Sequence, residues 1–144
     1  MRGKALAFLG LMALLVTLLV PLSTLPAESL ILCFGRVPTI YAEPGVPTVG
    51  TSGRDVILGT SGNDVISGRG GGDRICGLGG NDVLEGNAGR DRLDGGDGND
   101  ILRSGAGARH KLLGGPGADT IVVTGGLNKV RSGSGADTID ALDT

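Results

Sequence analysis

From Gly50 onward one aliphatic residue returns at every ninth position, and the places between hold Gly, Asp and other polar residues. Written in rows, the chain reads GTSGRDVIL, GTSGNDVIS, GRGGGDRIC, GLGGNDVLE, GNAGRDRLD and GGDGNDILR without a gap to Arg103. A ten-residue row, SGAGARHKLL, follows, and then GGPGADTIV, VTGGLNKVR and SGSGADTID, ending at Asp140. The eighth place holds Ile57, Ile66, Ile75, Leu84, Leu93, Leu102, Ile121, Val130 and Ile139. In the ten-residue row it holds Lys111, with Leu112 and Leu113 shifted by the extra residue. Neighbouring side chains of a strand point to opposite faces. The pattern therefore predicts a short strand closing each row, its eighth place turned inward and its seventh and ninth outward. Outward residues such as Arg74, Glu85, Arg92, Asp94, Arg103, Lys129, Arg131 and Asp140 fit.

The fourth place is Gly in every row: Gly53, Gly62, Gly71, Gly80, Gly89, Gly98, Gly107, Gly117, Gly126 and Gly135. Such a column implies positive φ or a space that a Cβ would fill. A run of G-x-x-G-x-D is a poor helix, since Gly costs about 1 kcal/mol per helical position relative to Ala. The first six residues of each row are thus expected to form a turn. A strand and a turn, repeated, make an all-β parallel solenoid. Two rows close one coil, and alternate rows stack about 4.8 Å apart.

Composition sharpens this picture. The chain of 144 residues holds 29 Gly but only 6 Pro, and the Gly do not recur every third residue, which excludes a collagen-like helix. Phe and Tyr total three and Trp is absent, so nothing interleaves with basic residues to stack bases, and nucleic acid is excluded as an expected partner. Arg2 and Lys4 precede an uncharged run, Ala5–Val20, that ends at Pro21. This reads as a signal peptide over residues 1–27, cleaved after Ala27 or alternatively after Ala42. The alternatives are a membrane anchor through residues 5–22 and, more weakly, a lipoprotein attached at Cys33. Removing residues 1–27 takes away Arg2 and Lys4 and no acid, so the net charge moves from −2 to −4. That predicts no attraction to phosphate or anionic lipid. The expected organisation is signal peptide 1–27, lead-in or N-terminal cap 28–49, solenoid 50–140 and tail 141–144. Export would place Cys33 and Cys76 in an oxidising space, where an even count suggests a bridge; two free thiols in a reducing compartment is the other possibility.

The sixth place carries the candidate chemistry. It is Asp in eight rows: Asp55, Asp64, Asp73, Asp82, Asp91, Asp100, Asp119 and Asp137, with Arg109 and Asn128 as departures. One flank of the solenoid is expected to carry Asp55, Asp73, Asp91, Arg109 and Asn128, and the other the remaining five aspartates. Carboxylates stacked about 5 Å apart repel by roughly 3 kcal/mol per pair at an effective dielectric near 20. One aliphatic side chain per row is also a thin core. A hard divalent cation between the turns answers both deficits. Ca²⁺ takes 6–8 oxygens in flexible geometry, whereas Mg²⁺ demands a tight octahedron. Zn²⁺ suits the chain poorly, because His110 is the only histidine and the thiols do not cluster.

These rows resemble the G-G-x-G-x-D-x-U-x nonapeptide of the RTX, or hemolysin-type, calcium-binding repeat proteins. The segment Cys33-Phe34-Gly35-Arg36, followed by Pro38-Thr39-Ile40, is similar to the lead-in of small secreted members, in which a Cys in the third repeat is placed like Cys76. The resemblance implies a right-handed parallel β-roll whose turns bind calcium outside the cell. It places ligands on the eight aspartates and turns on Gly53, Gly62, Gly71, Gly80, Gly89, Gly98, Gly117 and Gly135. The implied bridging pairs are Asp55/Asp73, Asp73/Asp91, Asp64/Asp82, Asp82/Asp100, Asp100/Asp119 and Asp119/Asp137, or up to about six ions. Arg109 would leave its shared site empty, its guanidinium pairing with Asp91. Arg54, Arg74, Arg90 and Arg92 are expected to offset the aspartates, and His110 to be solvated on an outer position.

No H-E-x-x-H and no G-x-S-x-G is present, so no enzymatic reading is carried. The expected function is calcium binding with calcium-dependent folding of a secreted structural or adhesive module. The alternatives are a calcium-stabilised ice- or surface-binding solenoid and a fragment of a larger RTX toxin or adhesin. No macromolecular partner can be named from the residues.

Overall fold

A computed structural model of the chain describes residues 31–142. The signal segment expected over residues 1–27 lies outside the described residues. Strands are numbered in chain order. One six-stranded sheet contains β1 (Ile40–Tyr41), β3 (Val56–Leu58), β6 (Arg74–Gly79), β9 (Arg92–Asp97), β11 (Lys111–Pro116) and β13 (Lys129–Ser134). The other contains β2 (Thr48–Val49), β4 (Val65–Ser67), β7 (Val83–Glu85), β10 (Ile101–Arg103), β12 (Thr120–Thr124) and β14 (Thr138–Leu142). A two-stranded ladder, β5 (Gly70–Gly71) with β8 (Ala88–Gly89), forms in the turns. Each strand pairs in parallel with the one a full coil away: Val56 with Arg74, Ile57 with Ile75, Val65 with Val83, Ile66 with Leu84. The chain is therefore an all-β parallel β-roll in which two rows make one coil.

The core is a single line of side chains between the sheets. Ile57, Ile66, Ile75, Leu84, Leu93, Leu102 and Ile121 are buried, each from an eighth place. The ten-residue row departs from expectation. Leu112, not Lys111, enters this line, pairing with Leu93 on one side and Val130 on the other. Lys111 stacks with Arg92 and Lys129 and faces outward. The extra residue is absorbed before the strand, so the core register is kept.

The turns are also shorter than the row pattern implies. In β6, β9, β11 and β13 the strand runs six residues, through the first three places of the next row. The opposite sheet keeps three-residue strands at β4, β7 and β10. Residues ahead of Gly50 already belong to the roll, since β1 pairs with β3 and β2 with β4. Before them, Cys33–Arg36 closes a tight turn with two reciprocal backbone hydrogen bonds of 3.0 Å. Phe34 and Gly35 sit at φ of 48° and 73° there, the backbone that a type I′ turn demands. Cys33 is bonded to Cys76, with 5.7 Å between Cα atoms. It packs with Leu58, Cys76, Phe34, Val56 and Leu78 into a second small cluster on the outer face of the first sheet. Closing a loop of 43 residues is worth roughly 4 kcal/mol in the loop-entropy model.

Candidate metal centre

Each sixth-place residue stands where a turn enters a strand, and stacking gathers these residues into two files. The second file, entering the β4 sheet, is Asp64, Asp82, Asp100, Asp119 and Asp137. The N–H of each aspartate donates to Oδ1 of the one a coil later, at 2.8 Å for Asp64 to Asp82 and Asp82 to Asp100. The ladder continues at 2.9 Å to Asp119 and 3.1 Å to Asp137. The pairing of Asp100 with Asp119 thus survives the extra residue between them.

The first file enters the β3 sheet. Asp55 donates to Asp73 and Asp73 to Asp91, both at 2.9 Å. The sequence reading then expects Arg109, and the structure corrects it. The N–H of Asp91 donates to Nδ1 of His110 at 3.2 Å, and the N–H of His110 donates to Oδ1 of Asn128 at 2.9 Å. The extra residue is taken up ahead of His110, where Arg109 adopts φ of 65°. Arg109 is exposed and makes no ion pair with Asp91, while His110, expected in solvent, is 0% exposed. Arg54, Arg74, Arg90 and Arg92 do not offset the aspartates through ion pairs either. Among the described residues the charged pair is Arg103–Glu85 at 3.1 Å; His110 Nδ1, which accepts the Asp91 N–H, also lies 3.4 Å from Asp91 Oδ2.

The two oxygens of each carboxylate do different things. Oδ1 completes the ladder. In the first two rows Oδ2 is satisfied by a threonine at the second place: the N–H and hydroxyl of Thr51 donate to Asp55, and those of Thr60 to Asp64. Further along, the second place carries no hydroxyl until Thr124. There Oδ2 of Asp73, Asp82, Asp91, Asp100 and Asp119 is buried without any hydrogen-bond partner. Burial pushes the Asp73 and Asp82 carboxyls up to about 6, against the amide each accepts, and the neighbouring carboxylates add to the rise. Burial likewise raises Asp91, Asp100 and Asp119, with His110 pulling Asp91 back down.

A glycine column the sequence reading left unused makes room for these oxygens. A Cβ on Gly86, at the first place of its row, would lie 2.6 Å from Asp91 Oδ2 and 2.7 Å from the Ser104 carbonyl oxygen. Gly68, Gly77, Gly95 and Gly114 repeat the arrangement with Asp73, Asp82, Asp100 and Asp119. Each first-place glycine thus marks a spot approached by one carboxylate oxygen and one carbonyl of the next coil. The signal was visible, since rows lacking this Gly include the two whose sixth place is His110 or Asn128. The fourth-place column behaves as expected in the interior: Gly71, Gly80, Gly89, Gly98, Gly107, Gly117 and Gly135 have φ between 104° and 146°. Gly53, Gly62 and Gly126 do not: the first two meet little beyond a threonine hydroxyl, at 3.5 and 3.7 Å, and Gly126 meets nothing within 4 Å. Where the column is crowded, the contact comes from the coil before; Gly53 and Gly62 lie in the rows that open the repeat, and Gly126 in the row of Asn128.

Among the described residues no three His, Cys, Asp or Glu side chains converge as a chelating cluster. Each interior Oδ2 instead shares the space over a first-place glycine with a backbone carbonyl of the next coil. An all-oxygen donor set, anionic and desolvated, fits a hard divalent cation better than zinc or copper. The model of the RTX calcium-binding nonapeptide repeat matches residues 49–84, 77–109 and 113–143. This chain belongs to that family. The RTX match breaks between residues 109 and 113, where the row with His110 carries its extra residue. Comparisons with curated proteins and with solved structures found no match. The RTX repeats are calcium-binding units in a β-solenoid.

Proposed function

We propose that this RTX solenoid binds calcium along its two files and orders only when calcium is present. The carrying observation is the set of five buried Oδ2 atoms without partners, on Asp73, Asp82, Asp91, Asp100 and Asp119. A bound calcium ion would supply the positive charge that lets these carboxylates stay ionised in desolvated surroundings. Asp55 and Asp64 are engaged by Thr51 and Thr60, so they serve as the starting rungs of the ladder. The sites follow the orphaned oxygens, five in place of the six pairs the repeat pattern implies, and end in the first file at Asp91. His110 there presents a nitrogen to Asp91 where the repeat elsewhere presents a carboxylate.

The reading extends to a non-catalytic, exported module with a structural or adhesive role. The charged N-terminus followed by the Ala5–Val20 run supports export, and the Cys33–Cys76 bond supports an oxidising compartment. The test is circular dichroism of the chain across a calcium titration, paired with calorimetry. The expected result is a disordered spectrum in chelator, a β spectrum with calcium, and no β spectrum with magnesium at equal concentration. Full order in excess EGTA, or no heat on adding calcium, overturns the reading.

A further inference from the structure

The outer face of the first sheet carries a column that neither the repeat nor calcium requires. Its seventh-place residues stack in register: Arg74 against Arg92, Arg92 against Lys111, and Lys111 against Lys129. Parallel strands stand about 4.8 Å apart, so the four cations form a straight row roughly 14 Å long. Like charges placed opposite one another destabilise a sheet. The same places on the second sheet hold Val65, Val83, Ile101, Thr120 and Thr138, which shows that the solenoid stacks without them. Among the described residues none of the four cations has a carboxylate ion pair. Asp94, one column over, is pushed up by burial, and Lys111 pulls it only part of the way back. Arg74 Nε is buried without a partner. Arg54, Arg90 and Arg109 border the row from fifth places. A cleft of about 390 Å³ opens between Arg90, Arg92, Arg109, Lys111 and Lys129. A smaller one of about 180 Å³ continues it past Arg54 and Arg74. The net charge of the whole chain is −2, which conceals this segregation, because seven aspartates are buried in the files while the four cations of the row face outward.

We propose that this row is a binding track for a linear polycarboxylate, an acidic polysaccharide whose sugar rings each carry one carboxylate, laid along the solenoid axis. Such a chain is linear and carries one charge on each ring, with no base that asks for a stacking partner, and it complements a row of cations without carboxylate partners. A nucleic acid strand matches less well, because no aromatic side chain stands in the row to stack a base. Phe34, the ring nearest the row, lies 5.3 Å from the Lys111 ammonium and serves the lead-in.

The test uses the calcium-loaded chain and galacturonate oligomers of increasing length, too short to gel with calcium, with oligothymidylate of equal charge as a second arm. Affinity is expected to rise until the oligomer spans the four rungs, then level off, and to fall with added salt. Replacing three rungs, Arg92→Gln, Lys111→Gln and Lys129→Gln, should weaken binding roughly tenfold or more. Thr120→Glu, Thr138→Glu and Arg103→Gln on the opposite sheet make the same change in net charge and should leave binding intact. All variants are compared at equal calcium-induced β signal, which separates loss of the track from loss of the fold. If the triple variant does not fold, Lys129→Gln alone, at an exposed place, should show a smaller loss in the same direction. No galacturonate binding by the ordered protein, an equal loss in the opposite-sheet variant, or tighter binding of oligothymidylate overturns the proposal.

Discussion

The two files of sixth-place residues come from one repeat and part company after Asp91. The second file runs Asp64 to Asp137 without a break, and beside it Asn81 and Asn99 add a further ladder, their N–H groups donating to Asn63 and Asn81 at 2.8 Å. The first file passes to His110 and Asn128, yet its coils stack as well as the others. An imidazole nitrogen and an amide oxygen take the N–H of the preceding coil just as Oδ1 does. Stacking thus needs an acceptor at the sixth place and does not need a charge. What the first file loses is the second oxygen, the one left without a partner wherever aspartate is kept in the interior. The ladder belongs to the fold, and Oδ2 is the atom left over for the calcium binding proposed above.

That division can be broken experimentally. The largest effect is expected where both functions meet. Gly77→Ala puts a methyl group against Asp82 Oδ2 and the Gly95 carbonyl. It should cost roughly 3 kcal/mol or more of stability. Gly126→Ala meets nothing within 4 Å and should stay within about 0.5 kcal/mol. Thermal melts in calcium compare the two. Next, Asp82→Ala and Asn128→Ala each leave one ladder N–H without its acceptor, on Asp64 and His110 respectively. Both should lose about 1–3 kcal/mol, but only Asp82→Ala should lower the number of calcium ions counted by calorimetry. Third, His110→Asp should raise that count by one, and Arg109→Asp should leave it unchanged; the reverse result would return Arg109 to the file. The smallest effect concerns pH without metal. Asp73 and Asp82 titrate at about 6 in the folded chain, above the ordinary carboxylate value of about 4. Between those values the native state holds protons that the unfolded chain has released, so metal-free stability falls as pH rises through the window. In EGTA the chain should therefore show more β signal by circular dichroism at about pH 4.5 than at about pH 7, where it is disordered.

Much of this was legible in the residues. The nine-residue register, the coil of two rows and the inward eighth place follow from periodicity alone. The position of the extra residue did not, because Leu112 and Leu113 are both aliphatic and the row reads equally well in two alignments. The core settles it: Leu112 lies between Leu93 and Val130, and a non-glycine residue at positive φ, Arg109, absorbs the surplus. The use of the first-place glycines was hidden for a different reason. Their crowding comes from a carbonyl a whole coil away, which no single row contains. The cation row was obscured in the same way, since seventh places alternate between sheets and only every second one falls on the same face.

The Cys33–Cys76 tether gives the molecule a direction. It fastens the opening turn to a strand of the first sheet, at the end where the line of core side chains begins. At the far end the line thins: Ile121 is 0% exposed and Ile139 is 52% exposed. In a structure where each coil touches only its neighbours, stability is the sum of coil and interface terms, and order can start at any coil and spread. Within residues 31–142 the coils beside the Cys33–Cys76 bond carry a covalent tie that the later coils lack, so the bond favours order there and the thinner stretch of core gives way more readily.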